Sequence, residues 1–401
     1  MSARSTRNST PGPRPRRRNA SRRWCIPPAI LREPGETLEA SQILAEIPDD
    51  LGLLLWNSVR DVTLWAAVPP ERREGLFSAE AAPKRLAALQ ASGVRPELEV
   101  PLTTLAAVVG SPATASPEVV TLVCLEVARW ARAGNAWGTA IAYAQAAALA
   151  SPEEPSAAYA VGSLARDWGR SARAETWLRR CIGLARRGRD WESYARAYVD
   201  LGEIYAARGI AHTARRYFTQ AMRAARRHGL LQVRGTALHG LFMLSVAEGE
   251  LDEAERQAKA AMRAYGRGHP RLGELLREVA ALWVARESYG RAIPVLQKLL
   301  AARSTGPQRA LTLAVLARAA AGTGERRLYE EAWSTAWALI DRPSMAGEDP
   351  RPLLELARAA AHLRDWVRVE QATRLHASRP QASEGDTAAE ELAEIALQAR
   401  R

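Results

Sequence analysis

The chain has 401 residues, and 47% of them are apolar, which is enough for a folded core and excludes wholesale disorder. Its formal net charge is +12, but residues 1–24 hold eight arginines and no acidic residue, so the remainder carries only +4. Ala and Leu dominate the apolar set and only three residues are Phe, which favours an all-α protein. Three widely spaced cysteines give no disulfide framework, and no apolar stretch of about 18 residues predicts a membrane span. We therefore expect a cytoplasmic protein without membrane contact.

Residues 1–36 are rich in Arg, Ser and Pro, and this composition predicts a disordered, flexible basic arm. Guanidinium groups in such an arm would contact nucleic acid or another anionic surface without sequence preference. The alternative is a solvated tail with no function, because no helix-turn-helix or zinc motif accompanies the arm. The arginines that would make the anion contacts are Arg14, Arg16, Arg17, Arg18, Arg22 and Arg23.

Residues 37–117 predict an N-terminal helical region followed by a linker. Asp50 is placed to cap a helix that ends at Pro69–Pro70. A second helix is predicted over residues 71–91, a short apolar run follows at 102–109, and the Pro-containing stretch 111–117 is typical of a linker. Three roles stay open for this region, namely a pair of degenerate repeats, an effector module or a cap.

From about residue 121 the sequence repeats itself, with a spacing of 34 to 40 residues between equivalent positions. The clearest copy has Tyr198, Leu201, Gly202, Tyr205, Gly209, Ala214, Phe218 and Ala221 at its framework positions. Seven copies fit this template, and the residues equivalent to Ala214 are Ala140, Ala174, Ala214, Ala254, Ala292, Tyr329 and Val369. Small residues at these positions allow two helices to approach closely, and glycine suits the turn between them.

This pattern resembles the tetratricopeptide repeat (TPR), W-x-x-L-G-x-x-Y followed by A-x-x-x-F and a later Ala. The resemblance implies an all-α fold, a right-handed superhelical array of TPR-like helix pairs (α-solenoid) with seven repeats over residues 118–383. Tyr329 and Val369 depart from the family at the small position. Residues 384–401 predict a C-terminal capping helix, from Asp386 to Gln398, over the open end of the array.

The sequence contains none of the motifs that common enzyme chemistry requires. No phosphate-binding loop, H-E-x-x-H pair or G-x-S-x-G elbow is present, and the sequence Gly322-Thr323-Gly324 falls on a repeat turn. Cys124 and Cys181 are predicted to pack in the core. The same burial is predicted for the recurring tryptophans Trp137, Trp177, Trp283, Trp333 and Trp366. We therefore predict a protein that is not an enzyme and has neither a cofactor nor a metal.

The family resemblance implies that a ligand lies against the concave face formed by the first helix of each pair. The Lys and Asn residues that clamp carboxylates in chaperone-binding relatives are missing, but arginine recurs on this face and pairs readily with carboxylates. This favours an acidic protein or peptide partner; the alternative is that arginine is simply the commonest charged residue here. Transferred from the family, the contact residues are Arg129, Arg132, Tyr159, Arg166, Arg196, Glu203, His239, Arg277, Arg318 and Arg358.

Two functional hypotheses follow from the sequence. The first is a protein- or peptide-binding scaffold that acts through the concave face in a regulatory assembly. The second is a ligand-sensing regulator whose arginine arm contacts nucleic acid.

Overall fold

The computed structural model describes residues 40–92, 95–302, 306–342, 349–378 and 387–398. The predicted basic arm, with all its arginines and Cys25, lies outside these ranges. The described residues form nineteen α-helices and one short 3-10 helix, and none of them lies in a strand. The all-α prediction is therefore confirmed. None of the helices within the described ranges combines the length and apolar character needed to cross a bilayer.

The chain divides into two compact units, one ending at Leu184 and the other beginning at Ala185, so that the division falls inside a helix. Unit 1 holds α1 (Ala40–Glu46), α2 (Asp49–Ala67), α3 (Ala81–Ala91), α4 (Pro96–Gly110), α5 (Pro117–Ala133), α6 (Trp137–Ala150), α7 (Pro155–Asp167) and most of α8 (Ser171–Gly188). Unit 2 continues with α9 (Trp191–Ala207), α10 (Ala211–Arg227), α11 (Leu231–Ala247), α12 (Leu251–Tyr265), α13 (Leu272–Ala285), α14 (Tyr289–Ala301), α15 (Gly306–Thr323), α16 (Arg326–Ile340), α17 (Arg351–His362), α18 (Trp366–Ala377) and α19 (Thr387–Gln398).

The N-terminal helices differ from the sequence-based prediction in their boundaries. Helix α2 begins at Asp49 with Pro48 at its N-cap, so Asp50 lies inside the first turn and the predicted cap is wrong. The helix expected over residues 71–91 is confined to α3, because a 3-10 helix over Pro70–Arg72 and a turn precede it. Helix α4 is longer than the apolar run at 102–109, because Pro96 provides a favourable first position for a helix.

Helices α1 and α2 pack against α6, the second helix of the first repeat. The Glu46 carboxylate accepts hydrogen bonds from the backbone N–H groups of Gly138 (2.7 Å) and Thr139 (2.9 Å), at the first turn of α6. A carboxylate at this position satisfies unpaired N–H groups and complements the helix dipole. The Tyr143 hydroxyl of α6 donates to the carbonyl oxygen of Leu55 over 2.9 Å. These contacts hold α1 and α2 against the first repeat.

Helices α5 to α18 form seven consecutive antiparallel pairs, with copy one beginning at α5 and copy seven ending at α18. All seven residues equivalent to Ala214, including Tyr329 and Val369, are at most 1% exposed. A Cβ atom on Gly202 would lie 2.6 Å from the Phe218 ring, so glycine is required for this close approach of α9 and α10. Gly209 turns the chain between them with φ of 72°, a left-handed conformation that favours glycine.

The predicted core residues are buried to different degrees. Trp177 and Trp333 are buried as expected, but Trp137, Trp283 and Trp366 are only half-buried. Trp137 and Trp366 begin second helices, where one side of the ring faces outwards. Cys124 and Cys181 are buried free thiols, and burial raises the pKa of Cys124. The capping helix α19 buries three residues in the core of unit 2, namely Ala388, Leu392 and Ile395.

Candidate functional site

Unit 2 contains a cavity of about 430 Å³, which we call the unit-2 cavity. Its walls come from α11, α13, α15 and α17, the first helices of four consecutive pairs, with one residue added by α12. The apolar part of the lining consists of Phe242, Met243, Val246, Leu251, Ala281, Leu282, Ala285, Leu311, Val315 and Leu354.

Helix α13 contributes the longest continuous face of the cavity. Glu274, Arg277 and Glu278 lie one or two helical turns before Ala281, Leu282 and Ala285, at three- and four-residue steps. This spacing brings all six onto one side of a helix. Along the helix axis, the charged residues come first and the apolar residues follow. The cavity therefore presents charged and apolar surface next to each other.

Three of the cavity arginines form ion pairs within the protein. Arg318 Nη1 lies 2.9 Å from Glu355 Oε2, and Arg358 Nη1 lies 2.5 Å from Glu355 Oε1. Arg358 also contacts Glu391 of α19. Arg351 Nη2 lies 2.6 Å from Asp349 Oδ2. Burial opposes the charge on Arg358, but Glu355 and Glu391 outweigh it and raise the pKa of its guanidinium.

The two carboxylates of α13 are also engaged. Glu274 accepts a hydrogen bond of 3.0 Å from Arg271 Nε, and Arg271 Nη1 reaches Glu203 over 3.0 Å. Burial raises the pKa of Glu274, but the Arg271 guanidinium outweighs this effect and the net pKa is lowered. Glu278 contacts Nε2 of His239, whose Nδ1 lies 3.2 Å from the Tyr265 hydroxyl.

Arg277 differs from the other arginines of the cavity. Its Nε donates to Thr312 Oγ1 over 3.1 Å, and Thr312 donates onward to the Gln308 carbonyl oxygen. Among the described residues, no carboxylate lies within ion-pairing distance of Arg277. Burial lowers the pKa of Arg277, against the influence of the more distant Glu278 and Glu274. A half-buried guanidinium bonded to a neutral hydroxyl retains donors for an incoming anion.

One group of residues in unit 2 consists of residue types that can ligate a metal ion. Donor atoms of His239, Glu274 and Glu278 lie within 4.8 Å of one another. However, Glu274 is paired with Arg271, and Glu278 contacts Nε2 of His239, so both carboxylates already have partners within the protein. The group fits the role of a supporting network behind the cavity wall, and we assign no metal to it.

The ten predicted contact residues are distributed over both units. Arg277, Arg318 and Arg358 line the unit-2 cavity. Glu203 is connected to it through Arg271, and His239, only 2% exposed, supports Glu278 from behind. Arg196 lies elsewhere in unit 2, 3.5 Å from Glu192.

Four of the predicted contact residues belong to unit 1. Arg132 and Arg166 both bind the Asp167 carboxylate, at 2.5 and 2.7 Å. Arg129 lies 3.7 Å from Glu126, and Tyr159 is half-buried. These arginines thus have acidic neighbours in the protein itself.

Sequence reasoning did not identify Arg351 or the apolar lining of the unit-2 cavity. Arg351 is the first residue of α17, and the contact positions transferred from the family lie further along the first helix of a repeat. The recurrence of Leu311, Val315 and Arg318 at four- and three-residue steps on α15 was an available signal. This spacing indicates which face of α15 lines the cavity.

Comparisons with known proteins inform the fold. No protein-family model matches the chain, and no curated protein matches it. Among solved structures, a chain of the APC/C hetero-tetramer Cut9–Hcn1 is 14% identical, with a TM-score of 0.51 over 83% of this chain and 58% of that one. The apo form of RapI is 10% identical, with a TM-score of 0.47 over 90% and 97%. PilF of Pseudomonas aeruginosa is 14% identical, with a TM-score of 0.46 over 58% and 96%. At such identities the likeness concerns the fold alone.

Proposed function

We propose that this chain, which has the fold of a tetratricopeptide-repeat array, is a binding protein that holds an acidic peptide segment in the unit-2 cavity. The observation that carries the proposal is Arg277, a half-buried guanidinium that has Thr312 as its bonded partner on an otherwise charge-balanced wall. A carboxylate of the peptide would bind the free donors of Arg277.

The apolar lining supports a peptide that also carries bulky apolar side chains. Phe242, Leu311 and Val315 belong to the lining, next to the charged half of α13. Burial of apolar surface would supply most of the binding free energy, and the ion pair would set register and direction. A preferred peptide therefore combines an Asp or Glu with Leu or Phe a few residues away.

Binding rather than catalysis also follows from the state of the charged groups. The described lining contains no serine, cysteine or lysine that could act as a nucleophile. Glu355 is held by Arg318 and Arg358, and Glu274 by Arg271, so these carboxylates serve structural ion pairs. We propose a non-enzymatic role on this basis.

The test uses the full chain and fluorescein-labelled peptides in which one Asp or Glu is flanked by Leu and Phe. We expect Arg277→Ala to weaken binding by about 1.5 to 3 kcal/mol, the usual contribution of a hydrogen bond to a charged group. Replacing the peptide carboxylate by its amide should have the same effect on the native chain. It should have little effect on Arg277→Ala, because the two changes remove one shared interaction.

The matched control is Arg256→Ala, which removes an exposed arginine of α12 that pairs with Glu253 outside the cavity. This variant should bind the peptides as the native chain does. Equal loss of affinity in both variants, or unchanged affinity in Arg277→Ala with its melting temperature preserved, would contradict the proposal.

A second candidate function is a regulator whose basic arm contacts nucleic acid. It is supported by the charge distribution, because eight of the positive charges lie in residues 1–24 without an acidic residue among them. Such an arm would bind phosphates with a steep dependence on salt.

A further inference from the structure

The most basic part of the described chain is the start of unit 2. Residues 185–230 contain ten arginines and four acidic residues, a net charge of +6, whereas residues 25–401 together carry only +4. Residues 25–184 and 231–401 together therefore carry −2. Positive charge concentrated in this way on one segment attracts polyanions.

The arginines of α10 form one exposed stripe. Arg216, Gln220, Arg223 and Arg227 follow each other at steps of four, three and four residues, and all four are exposed. Steps of this size place side chains on the same side of a helix. At 1.5 Å per residue, the three arginines span about 16 Å along the helix axis. We call these four residues the α10 stripe.

The charges of the α10 stripe are not neutralised by nearby acids. Within the described residues, Arg216, Arg223 and Arg227 form no ion pair, whereas Arg215 on the neighbouring side contacts Glu248. The acids of the segment have other roles. Asp190 accepts a hydrogen bond from the Ser193 N–H at the start of α9.

Of the three remaining acids, Asp200 is buried and the other two are ion-paired. Glu192 pairs with Arg196 over 3.5 Å, and Glu203 pairs with Arg271 over 3.0 Å. The arginines of the α10 stripe are therefore exposed and form no ion pair among the described residues.

A row of aromatic rings lies beside the stripe. His228 stacks on Trp191 with ring centroids 4.6 Å apart and planes 9° from parallel. Trp191 contacts Tyr194 at 5.7 Å, and Tyr194 contacts Tyr198 at 4.9 Å. The rings of Trp191, Tyr194 and Tyr198 are half-buried, and His228 is exposed.

The stripe and the rings share contacts. Gln220 Nε2 donates to the Tyr194 hydroxyl over 3.4 Å, and the Arg216 guanidinium lies 5.4 Å from the centroid of the Tyr217 ring. Tyr217 in turn contacts Tyr198 at 5.8 Å. The α10 stripe and the row of rings are thus in contact at Arg216 and at Gln220.

We propose that this surface binds a single-stranded nucleic acid. Arg216, Arg223 and Arg227 bind successive phosphates, and an unpaired base stacks on the exposed side of the His228–Trp191 pair. Flat rings provide stacking surface for any base, which explains why aromatic residues accompany the charges. An acidic peptide would use the arginines but would gain nothing from the exposed ring, and the bases of a duplex are already stacked on one another.

The test measures binding of a fluorescein-labelled oligothymidylate of about 16 nucleotides to the full chain at several salt concentrations. The variant carries Arg216→Gln, Arg223→Gln and Arg227→Gln. We expect at least a tenfold loss of affinity, and a decrease of about 2 in the slope of log K against log salt, because three phosphate contacts are removed.

The matched control removes three charges elsewhere in unit 2, by Arg256→Gln, Arg327→Gln and Arg374→Gln. These arginines are exposed on α12, α16 and α18, and each pairs with an acid on its own helix. The control should retain most of the affinity. Equal losses in both triple variants would overturn the proposal, because binding would then depend on total charge alone.

Stacking is tested separately with His228→Ala, for which we expect severalfold weaker binding at unchanged helical content. His212→Ala is the control, because His212 is exposed in the first turn of α10, at the other end from His228, and contacts Thr213 rather than the row of rings. The same measurements in a chain in which all eight arginines of residues 1–24 are replaced by Gln exclude the arm as the source. Equally tight binding of polyglutamate, or loss of binding in the arm variant with no effect of the α10 changes, would overturn the proposal.

Discussion

Gly202 determines how closely α9 and α10 approach each other. The glycine faces the ring of Phe218, and Gly240 of the next repeat faces the same ring from α11. Phe218, 2% exposed, is thus enclosed between α9 and α11. On each of these helices the residue that faces the ring is a glycine, which has no side-chain carbon.

Replacing Gly202 by Ala should destabilise the protein. The new Cβ would lie 2.6 Å from Phe218 Cε1, so the ring or a helix must move, and such overpacking costs about 1 to 3 kcal/mol. Urea unfolding followed by circular dichroism measures the effect. Gly183→Ala is the control, because a Cβ there meets no atom within 4 Å and should stabilise α8 by about 0.5 to 1 kcal/mol. A midpoint for Gly202→Ala equal to that of the native protein would contradict this account.

At the scale of single elements, α19 closes the last pair of unit 2. Leu392 is fully buried on its inner side, whereas Leu397 on the same helix is 57% exposed. Helix α19 also supplies Glu391, which contacts Arg358 of the cavity. The helix thus covers apolar surface and at the same time holds one arginine of the candidate site.

Leu392→Ala should lower the free energy of unfolding by about 2 to 5 kcal/mol, because it leaves a void in the core of unit 2. Leu397→Ala, an exposed change on the same helix, should stay within about 0.5 kcal/mol of the native value. Differential scanning fluorimetry and urea unfolding distinguish the two. Comparable effects of both variants would show that α19 does not pack as described.

The positions of the helices could be predicted from the sequence better than their exact boundaries. The repeat spacing predicted close helix crossings at the positions equivalent to Ala214, and all seven residues there are buried. The predicted N-cap of α2 was wrong. The helix begins at Asp49 with Pro48 as its N-cap, and the local sequence pattern is compatible with either start.

The candidate site was predictable only in part. The face of Arg277, Arg318 and Arg358 followed from the family resemblance. Their pairing did not, because Thr312 lies 35 residues from Arg277 and Glu355 lies 37 residues from Arg318. Which side chains meet over such separations depends on how neighbouring repeats pack, and periodicity in one helix carries no information about it.

At the scale of the whole molecule, positive charge occurs in two places, residues 1–24 and the start of unit 2. The two regions would act differently on a polyanion. A composition like that of the arm gives affinity without selectivity, whereas the α10 stripe adds rings that select for unpaired bases.

Replacing Arg14, Arg16, Arg17, Arg18, Arg22 and Arg23 by Gln should halve the net charge of +12. We expect the variant to elute from a heparin column at lower salt, because fewer counterions are released on binding. Its preference for oligothymidylate over polyglutamate should remain. The control replaces the same six residues by Lys, which keeps the charge and should restore retention. Loss of this preference in the Gln variant would show that the arm, and not α10, selects the ligand.

The unit-2 cavity is lined almost entirely by the first helices of four consecutive pairs. A duplicated pair would lengthen the cavity by one helix and leave the existing walls in place, and a deleted pair would shorten it. In such an architecture the number of repeats determines how long a ligand the cavity accepts. The individual lining residues determine the chemistry of that ligand.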